Sequence, residues 1–458
     1  MAGKIVDYRI VISENACENE KRAALFLRNA IRLVTGRLLP LVTDADDPVG
    51  KEIVVGATSR ESDGFFPERS RKGLFEYIIK SENESLFISG LGVADVPGEY
   101  RSAYKYVDDG AIGTLMGVYR FVEDILGYNF IYDSYAELPE NEDAAIPEGY
   151  YCEYTSASLK VKDVPLYDET AMYMLPVTES LDLNIMSFVF KTKSGKIVVV
   201  DGGKANETEN LMALLEKLAP EGEIPTVSAW FLTHLHEDHY GSFLNIVRNY
   251  DEFKNRIKIE DFYCNLLEEE FYTKLSKEAN VIRKPLRDDL LAADVKTGCR
   301  VHTVNTGDVI EIDGLSFKAI HTPDMAEAAN MNMNDSSVVY KLTVDGKQTI
   351  MLLSDAEWVC NNDLLQNHKD ELKSDIVQVG HHGCGNVSRE CYEAIGADIY
   401  LWQLGNKYWY GEKGEGIGTF NTGVIRTRNY IKSLGVSEDN IYFDRYGMLS
   451  FTFPIKKK

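Results

Sequence analysis

Three histidines and two carboxylates fall within six consecutive residues, and this cluster constrains the chain more than any other stretch. The apolar run 229–232 precedes it and predicts a strand that delivers the cluster onto a loop, where side chains converge without helical spacing. The zincin spacing of two histidines on a helix is missing. Imidazole and carboxylate groups bind borderline-soft divalent metals, and they are too many for one tetrahedral ion, so the cluster predicts two metals. Its members are His234, His236, Glu237, Asp238 and His239.

Further candidate ligands follow two other apolar runs. Asp355 comes after the run 349–353, and His381 and His382 follow the run 375–380. Each candidate stands just beyond the carboxyl end of a predicted strand, so ligands distant in sequence can meet at one sheet edge. We interpret three isolated histidines as structural: His302, His321 and His368.

The composition is that of a globular protein with an acidic balance. Of 458 residues, 44% are hydrophobic and 26% are charged, and the formal net charge is −23. Binding of long nucleic acids needs a basic track, and none is visible, so we expect no nucleic-acid partner. Seven scattered cysteines suit free thiols in a reducing compartment. Without an apolar signal segment or membrane helix, we expect a cytoplasmic protein. Export of a longer precursor and the oligomeric state are left open.

The first part of the chain predicts a small α/β layer. Strands and helices alternate, both helices carry an apolar stripe and end at a glycine, and residues 1–155 contain no histidine. The acidic, turn-rich segment 139–149 marks a boundary, which we place between residues 155 and 156. The predicted elements are strands at 9–11, 52–56, 76–80 and 86–89 and helices at 19–35 and 114–126.

This predicted unit resembles the accessory domain that precedes the catalytic barrel in β-hexosaminidases and α-glucuronidases. The resemblance covers roughly residues 7–150 and rests on the pattern and order of stretches such as EIVVGAT and GTLMGVYRFVEDILGYNF. It implies a carbohydrate-active context rather than an activity. A generic α/β packing domain is the alternative.

From residue 156 to residue 458 the pattern changes to paired strands with intervening helices. Such a pattern predicts two sheets covered by helices. The charged region 250–300 is expected to be helical cover. The other predicted elements are strands at 184–190, 196–201, 229–233, 309–312, 315–320, 337–344 and 348–353, a helix at 211–218 and a terminal β element at 442–451.

Five motifs in this second part resemble the metallo-β-lactamase superfamily of metal-dependent hydrolases: IVVVDGG, FLTHLHEDHYGS, NDSSVVYKL, MLLSDAE and IVQVGHHGCGN. The similarity covers roughly residues 160–458. It implies an α/β fold class, with a four-layer αββα sandwich behind the small accessory domain. The double histidine and the terminal β element resemble most the subgroup of competence-type DNA-uptake proteins and phosphorylcholine esterases.

The resemblance also implies a role for single residues around two divalent ions, Zn²⁺ or Mn²⁺. The implied ligands are His234 and His236 for the first ion, Asp238, His239 and one histidine of the 381–382 pair for the second, and Asp355 as a bridge. Asp201 would orient a ligand imidazole. Whether His381 or His382 ligates is left open, and the other would contact substrate or donate a proton.

One departure from the superfamily concerns the first ion. Many members place a further histidine after a Thr-Pro-Gly sequence, whereas here Asp324 follows Thr322-Pro323. Asn334 or Asp335 offers an oxygen instead. Fewer nitrogen ligands favour a harder ion such as Mn²⁺.

We therefore expect a binuclear metal-dependent hydrolase in which a hydroxide held between the metals attacks a phosphodiester or ester of a small molecule or glycoconjugate. The candidate catalytic residues are Asp238, His381 and His382. The candidate substrate contacts are Asn334, Asp335, Trp409 and Tyr410, the two aromatic residues by stacking on a sugar ring. A competence-type single-strand nuclease, a metal-dependent glycosidase and a glycan-binding protein with a structural metal are the alternatives.

Overall fold

The protein, described by a computed structural model, divides into two compact units. The first comprises Met1–Leu159, Thr178–Leu183 and Gly405–Arg426, and the second comprises Lys160–Val177, Asn184–Leu404 and Thr427–Lys458. The sequence did not indicate that residues 405–426 group with the first unit. The predicted boundary after residue 155 adjoins residues 156–158, which lie outside the described residues. The structure describes residues 3–62, 65, 75–90, 112–130, 136–137, 139–155, 159–161, 163–178, 184–275, 284–324, 326, 328–412 and 422–458.

A mixed six-stranded sheet and several helices build the described part of the first unit. Its strands are β1 (Gly3–Lys4), β2 (Arg9–Ile12), β3 (Leu41–Thr43), β4 (Glu52–Val55), β5 (Tyr77–Glu82), β6 (Ser85–Gly90), β7 (Asn129–Phe130), β8 (Ala136–Glu137), β9 (Ala145–Ile146) and β10 (Tyr151–Tyr154). The sheet order is β10-β5-β6-β4-β2-β3, with β1-β9 and β7-β8 as separate pairs. Helix α1 (Glu18–Thr35) begins where Glu20 accepts a hydrogen bond from the Cys17 amide and ends at a left-handed Gly36. Its buried stripe contacts helix α2 (Gly113–Leu126) and the sheet.

Two larger sheets form the second unit. The strands are β11 (Ala171–Met174), β12 (Ser187–Lys191), β13 (Ile197–Asp201), β14 (Thr226–Phe231), β15 (Lys258–Ile259), β16 (Asp261–Cys264), β17 (Arg300–Thr303), β18 (Val309–Ile312), β19 (Leu315–His321), β20 (Val339–Val344), β21 (Gln348–Leu352), β22 (Ile376–Gln378), β23 (Ile399–Trp402), β24 (Ile441–Phe443) and β25 (Leu449–Thr452). The first sheet has the order β17-β16-β14-β13-β12-β11-β25, with β15 paired to β14. The second has the order β18-β19-β20-β21-β22-β23-β24. The predicted terminal β element is therefore two strands that join different sheets.

Alternating side chains on these strands build two separate cores. Val198 and Val200 of β13 point into a core shared with second-sheet residues such as Leu352. Val199, between them, joins the other core with Trp230 and the helices that cover the first sheet. Because side chains alternate along a strand, one strand serves both layers, and the α/β sandwich expected from the sequence follows.

Helices cover the outer faces of the two sheets. They are α3 (Thr208–Leu218), α4 (Glu237–Arg248), α5 (Tyr250–Phe253), α6 (Glu269–Lys274), α7 (Lys284–Leu291), α8 (Ala293–Thr297), α9 (Trp358–Asn367) and α10 (Arg389–Ile395). Helix α11 (Asn406–Tyr410) belongs to the first unit, and α12 (Thr422–Ser433) has residues in both units. Region 250–300 is less helical than predicted, since it also supplies β15, β16 and the first residue of β17. Among the described residues, no helix is both long and apolar enough to cross a bilayer.

Candidate metal centre

The candidate ligands gather where parallel strands of both sheets end. Strand β13 ends at Asp201, and His234 follows β14 in the first sheet, while Asp355 and His382 follow β21 and β22 in the second. Two groups of potential ligand atoms result, each with all atoms within 4.8 Å of one another. One group contains Asp238, His239, Asp355 and His382, and the other contains His234, His236 and Asp355. The structure thus brings together six of the candidate ligands, with Asp355 common to both groups, whereas His381 is in neither group.

The histidine cluster does not lie on a loop throughout, as the sequence analysis expected. Helix α4 begins at Glu237, so Asp238 and His239 belong to its first turn and His236 occupies the N-cap position. Acidic residues are favourable there because the amino end of a helix carries a partial positive charge. The prediction of a loop without helical spacing was therefore wrong for the second half of the cluster, whose side chains are oriented by helix α4.

Asp201 anchors two of the imidazoles through a buried network. Its carboxylate lies 2.9 Å from His239 Nδ1 and accepts hydrogen bonds from the Thr233 amide and hydroxyl at 2.8 and 3.0 Å. Ser354 donates to the same hydroxyl at 2.6 Å, and His234 Nδ1 lies 3.3 Å from it. Because the Thr233 proton is directed to Asp201, its oxygen accepts from His234. Both imidazoles therefore carry their proton on Nδ1 and present Nε2 to the centre.

His382 is oriented by a residue that the sequence analysis missed. Its Nδ1 lies 2.9 Å from the carbonyl oxygen of Gln403, which fixes the proton on that nitrogen. Its Nε2 then lies 3.4 Å from an Asp238 oxygen and 3.5 Å from Asp355 Oδ1. The Gln403 side chain binds the backbone of Leu175 and Ser187 in the first sheet. A glutamine with these contacts carries no recognisable sequence signal.

His381 takes a different direction from its neighbour. Its Nδ1 lies 2.6 Å from Glu357 Oε1, and its Nε2 lies 3.2 Å from the Asn334 amide nitrogen and 3.8 Å from Asp355 Oδ2. It belongs to neither group of potential ligands. Both histidines have a positive φ, 46° for His381 and 53° for His382, a strained conformation that concentrates at functional sites.

Several buried polar atoms of the centre lack an aligned hydrogen-bond partner among the described residues. They are His239 Nε2, Asp355 Oδ1 and His382 Nε2. An unsatisfied buried polar group costs about 1–3 kcal/mol, and three of them face one another. Nearby, His234 Nε2 and His236 Nδ1 lie 3.1 Å apart. Nitrogen and carboxylate donors in this arrangement fit divalent ions such as Zn²⁺ or Mn²⁺.

Burial and charge act in opposite directions on these groups. Burial acts to raise the pKa of Asp355, but the facing imidazoles outweigh it and hold that pKa well below its usual range; the pKa of Asp238 is lowered in the same way. Burial keeps the pKa of His234 well below its usual range, which leaves the neutral imidazole that a metal requires. Burial also acts to lower the pKa of His239, but Asp355 and Asp201 raise it above its usual range.

The remaining candidate residues occupy varied places. Asn334 is 9% exposed and faces His381, while Asp335 turns to helix α9, where its Oδ1 accepts the backbone amides of Val359 and Cys360 at 2.9 and 3.1 Å. His321 lies 2.6 Å from Asp363 and is in neither ligand group. Trp409 and Tyr410 belong to the first unit, where both donate hydrogen bonds to Glu123. Stacking of these two rings on a sugar stays a prediction.

Comparisons with known proteins place part of the second unit in a family. Residues 182–326, about a third of the chain, match the family model described as metallo-beta-lactamase superfamily. No curated protein sequence matches.

Solved structures of low identity also match part of the chain. The metallo-beta-lactamase fold protein YhfI from Bacillus subtilis is 12% identical, with a TM-score of 0.36, covering 62% of this chain and 100% of its own. BJP-1, a subclass B3 metallo-beta-lactamase of Bradyrhizobium japonicum, is 16% identical, with a TM-score of 0.30 and coverages of 61% and 92%. A diphosphatase from the PhnP family is 14% identical, with a TM-score of 0.32 and coverages of 58% and 83%. The family match and the two-sheet architecture agree, and the C-terminal part of the chain contains a metallo-β-lactamase superfamily domain.

Proposed function

We propose that the second unit is a metal-dependent hydrolase that cleaves a phosphodiester or ester of a small molecule or glycoconjugate. Two divalent ions would be held, one by His234, His236 and Asp355 and the other by Asp238, His239, Asp355 and His382. Within this proposal the last ligand is His382 rather than His381, because His382 Nε2 lies 3.4 Å from Asp238 and 3.5 Å from Asp355, while His381 is in neither ligand group.

The observation that carries the proposal is the convergence of imidazole Nε2 and carboxylate atoms in a buried place, where His239 Nε2, His382 Nε2 and Asp355 Oδ1 lack an aligned partner among the described residues. Three imidazoles have their Nδ1 proton fixed by Asp201, by Thr233 or by Gln403, so that the lone pair of each Nε2 points inward. An arrangement of this kind would be unstable without cations, since it buries acceptor atoms against one another. Ions bound there would polarise a phosphoryl or carbonyl oxygen and lower the pKa of a bound water.

The protein's own groups have separate tasks in this reaction. Asp201 and Gln403 hold the imidazoles, and helix α4 fixes Asp238 and His239. His381 faces the same place without joining the ligand groups, so it is free to contact the substrate oxygen that leaves. Asn334, 3.2 Å from His381 Nε2, is placed to contact the substrate with it.

The substrate class rests on charge and on the first unit. A net charge of −23 disfavours long polyanions, which supports a small substrate over the single-strand nuclease. The resemblance of the first unit to accessory domains of carbohydrate-active enzymes supports a glycoconjugate.

Metal removal and restoration test the proposal. Protein dialysed against chelator is expected to lose hydrolysis of bis-nitrophenyl phosphate, and Zn²⁺ or Mn²⁺ is expected to restore it. His382→Ala should bind one ion fewer by elemental analysis. The control is His302→Ala, which removes a histidine that pairs with Asp261 at 2.7 Å and belongs to neither group. Metal-loaded protein inert on phosphodiesters, esters and lactones would refute the proposal, and selective digestion of single-stranded DNA would favour the nuclease.

A further inference from the structure

His381 is fixed by a carboxylate that has no place in the ligand groups. Glu357 Oε1 lies 2.6 Å from His381 Nδ1, the range of a charge-assisted hydrogen bond. A carboxylate accepts only, so the imidazole carries its proton on Nδ1 and turns Nε2 away from Glu357. That Nε2 faces Asp355 Oδ2 at 3.8 Å and the Asn334 amide at 3.2 Å. The hydrogen bond thus aims one nitrogen of His381 into the centre.

Glu357 is itself held on several sides. It is 6% exposed, and its second oxygen accepts a hydrogen bond from the Asn386 side chain. It directly precedes helix α9, whose Val359 and Cys360 amides are bound by Asp335. Because one oxygen of Glu357 pairs with His381 and the other with Asn386, the carboxylate has little freedom to rotate.

Gly385, which follows the two histidines, leaves space for the hydrogen bond between His381 and Glu357. A Cβ added at Gly385 would lie 2.8 Å from His381 Nδ1 and 3.1 Å from Glu357 Oε1. Both distances are shorter than ordinary contacts, so any larger residue would push the imidazole from the carboxylate. Glycine at this position lets the backbone approach the pair closely.

We propose that Glu357 is a positioning residue for the hydrolysis, acting only through His381. It holds the ring so that Nε2 contacts an oxygen of the substrate. This inference rests on the proposed function. It adds a residue that neither the histidine motifs nor the family match identifies, and it separates the tasks of two adjacent histidines.

Glu357→Gln tests the inference. If the amide keeps its oxygen toward the Asn386 donor, its NH₂ group faces His381 Nδ1, and the imidazole must change tautomer or turn. A misplacement of about 1 Å can lower a rate by about 100-fold, so we expect kcat to fall about 10- to 100-fold while KM changes less than about 3-fold. Elemental analysis should still find both ions. Asn386→Ala, which leaves the carboxylate in place, should give a smaller loss and covers the case in which Glu357→Gln fails to fold.

A matched control lies on the same helix. Asp363 of α9 pairs with His321 Nδ1, also at 2.6 Å, and both residues are outside the ligand groups. Asp363→Asn therefore removes an equivalent histidine–carboxylate bond and should leave kcat within about 2-fold. In a His381→Ala background, Glu357→Gln should have no further effect, because a positioning residue acts only through its partner.

Histidine-selective ¹⁵N NMR of the Zn²⁺-loaded protein gives a readout that needs no substrate. We expect the Nδ1–H tautomer at His381 in the wild type and its loss in Glu357→Gln, with no change in Asp363→Asn. An unchanged tautomer, a lost ion, or an added loss of kcat on the His381→Ala background would each overturn the inference. If the wild type hydrolyses nothing, the proposed function fails, and the NMR result still decides whether Glu357 positions His381.

Discussion

Gly241 lies in helix α4 three residues after Asp238, and replacing it with alanine tests how the metal centre is supported. An added Cβ would lie 2.5 Å from the Ala205 amide nitrogen and 2.7 Å from Lys204 Cα. Restoring a contact of 3.4 Å requires a shift of about 0.9 Å (3.4 − 2.5) between helix and loop. Ser242 opposes that shift, because its amide binds Gly203 O at 2.9 Å and its hydroxyl binds Lys204 O at 2.8 Å.

Whether Gly241→Ala stabilises or destabilises the second unit depends on the balance between helix propensity and the cost of overpacking. Alanine in a helix interior is favoured over glycine by about 1 kcal/mol. Overpacking against backbone costs about 1–3 kcal/mol, and weakening two hydrogen bonds costs about 0.5–1.5 kcal/mol each. We therefore expect Gly241→Ala to lower the free energy of unfolding of the second unit by about 1–5 kcal/mol. Since α4 carries Asp238 and His239, Zn²⁺ affinity should fall with it.

Urea denaturation followed by tryptophan fluorescence measures this change, since the second unit contains the buried Trp230 and Trp402. Arg248→Ala, at the last residue of the same helix, removes a surface ion pair with Asp289 and should cost less than about 1 kcal/mol. A Gly241→Ala protein as stable as the wild type, or more stable, would refute the reasoning. The gain in helix propensity would then exceed the cost of the contact between the added Cβ and the backbone of residues 204–205.

Three further predictions concern other parts of the molecule. Asp201→Asn should weaken Zn²⁺ binding about 10- to 100-fold in a competition titration, because its one amide oxygen stays with the Thr233 donors and its NH₂ group then faces His239 Nδ1–H; unchanged affinity would contradict this role. In the first unit, burial acts to raise the pKa of Glu52, but hydrogen bonds from Arg9 and Arg60, each 2.9 Å from an oxygen, lower it. The ionised carboxylate therefore stabilises the fold above the unfolded pKa near 4.5, and this stability is lost as the pH falls through the folded pKa. Glu52→Gln should lower the free energy of unfolding at pH 7 and reduce its decrease between pH 7 and acidic pH. An equally steep decrease in the variant and the wild type would contradict this. Trp358 is 61% exposed and the other three tryptophans are 6% exposed or less, so Trp358→Phe should remove most acrylamide-quenchable fluorescence, and undiminished quenching would count against the placement.

Local signals made much of the second unit predictable. The hairpin predicted at 309–312 and 315–320 is observed at Val309–Ile312 and Leu315–His321, because Asp313-Gly314 favours a tight turn and Asp313 adopts a positive φ of 46°. Period-two apolar runs mark strands in the same local way. The start of helix α4 was missed although Glu237 and Asp238 are typical first-turn residues. The sequence analysis interpreted these carboxylates only as candidate metal ligands, whereas Asp238 is both a candidate ligand and a first-turn residue of the helix.

The parts of the centre that could not be predicted depend on contacts between the two sheets. The first sheet delivers His234 and His239, and the second delivers Asp355 and His382, so the ligands meet only if the sheets keep a fixed register. Gln403 supplies such a link, because its side chain binds the first sheet and its carbonyl binds His382. One residue thus couples the relative position of the sheets to the orientation of a ligand. No local sequence pattern predicts that a glutamine after an apolar strand orients a histidine. The six-residue histidine motif, in contrast, predicts metal binding by its composition alone. The candidate ligands can therefore be identified from the sequence, and the residues that orient them become visible only in the folded structure.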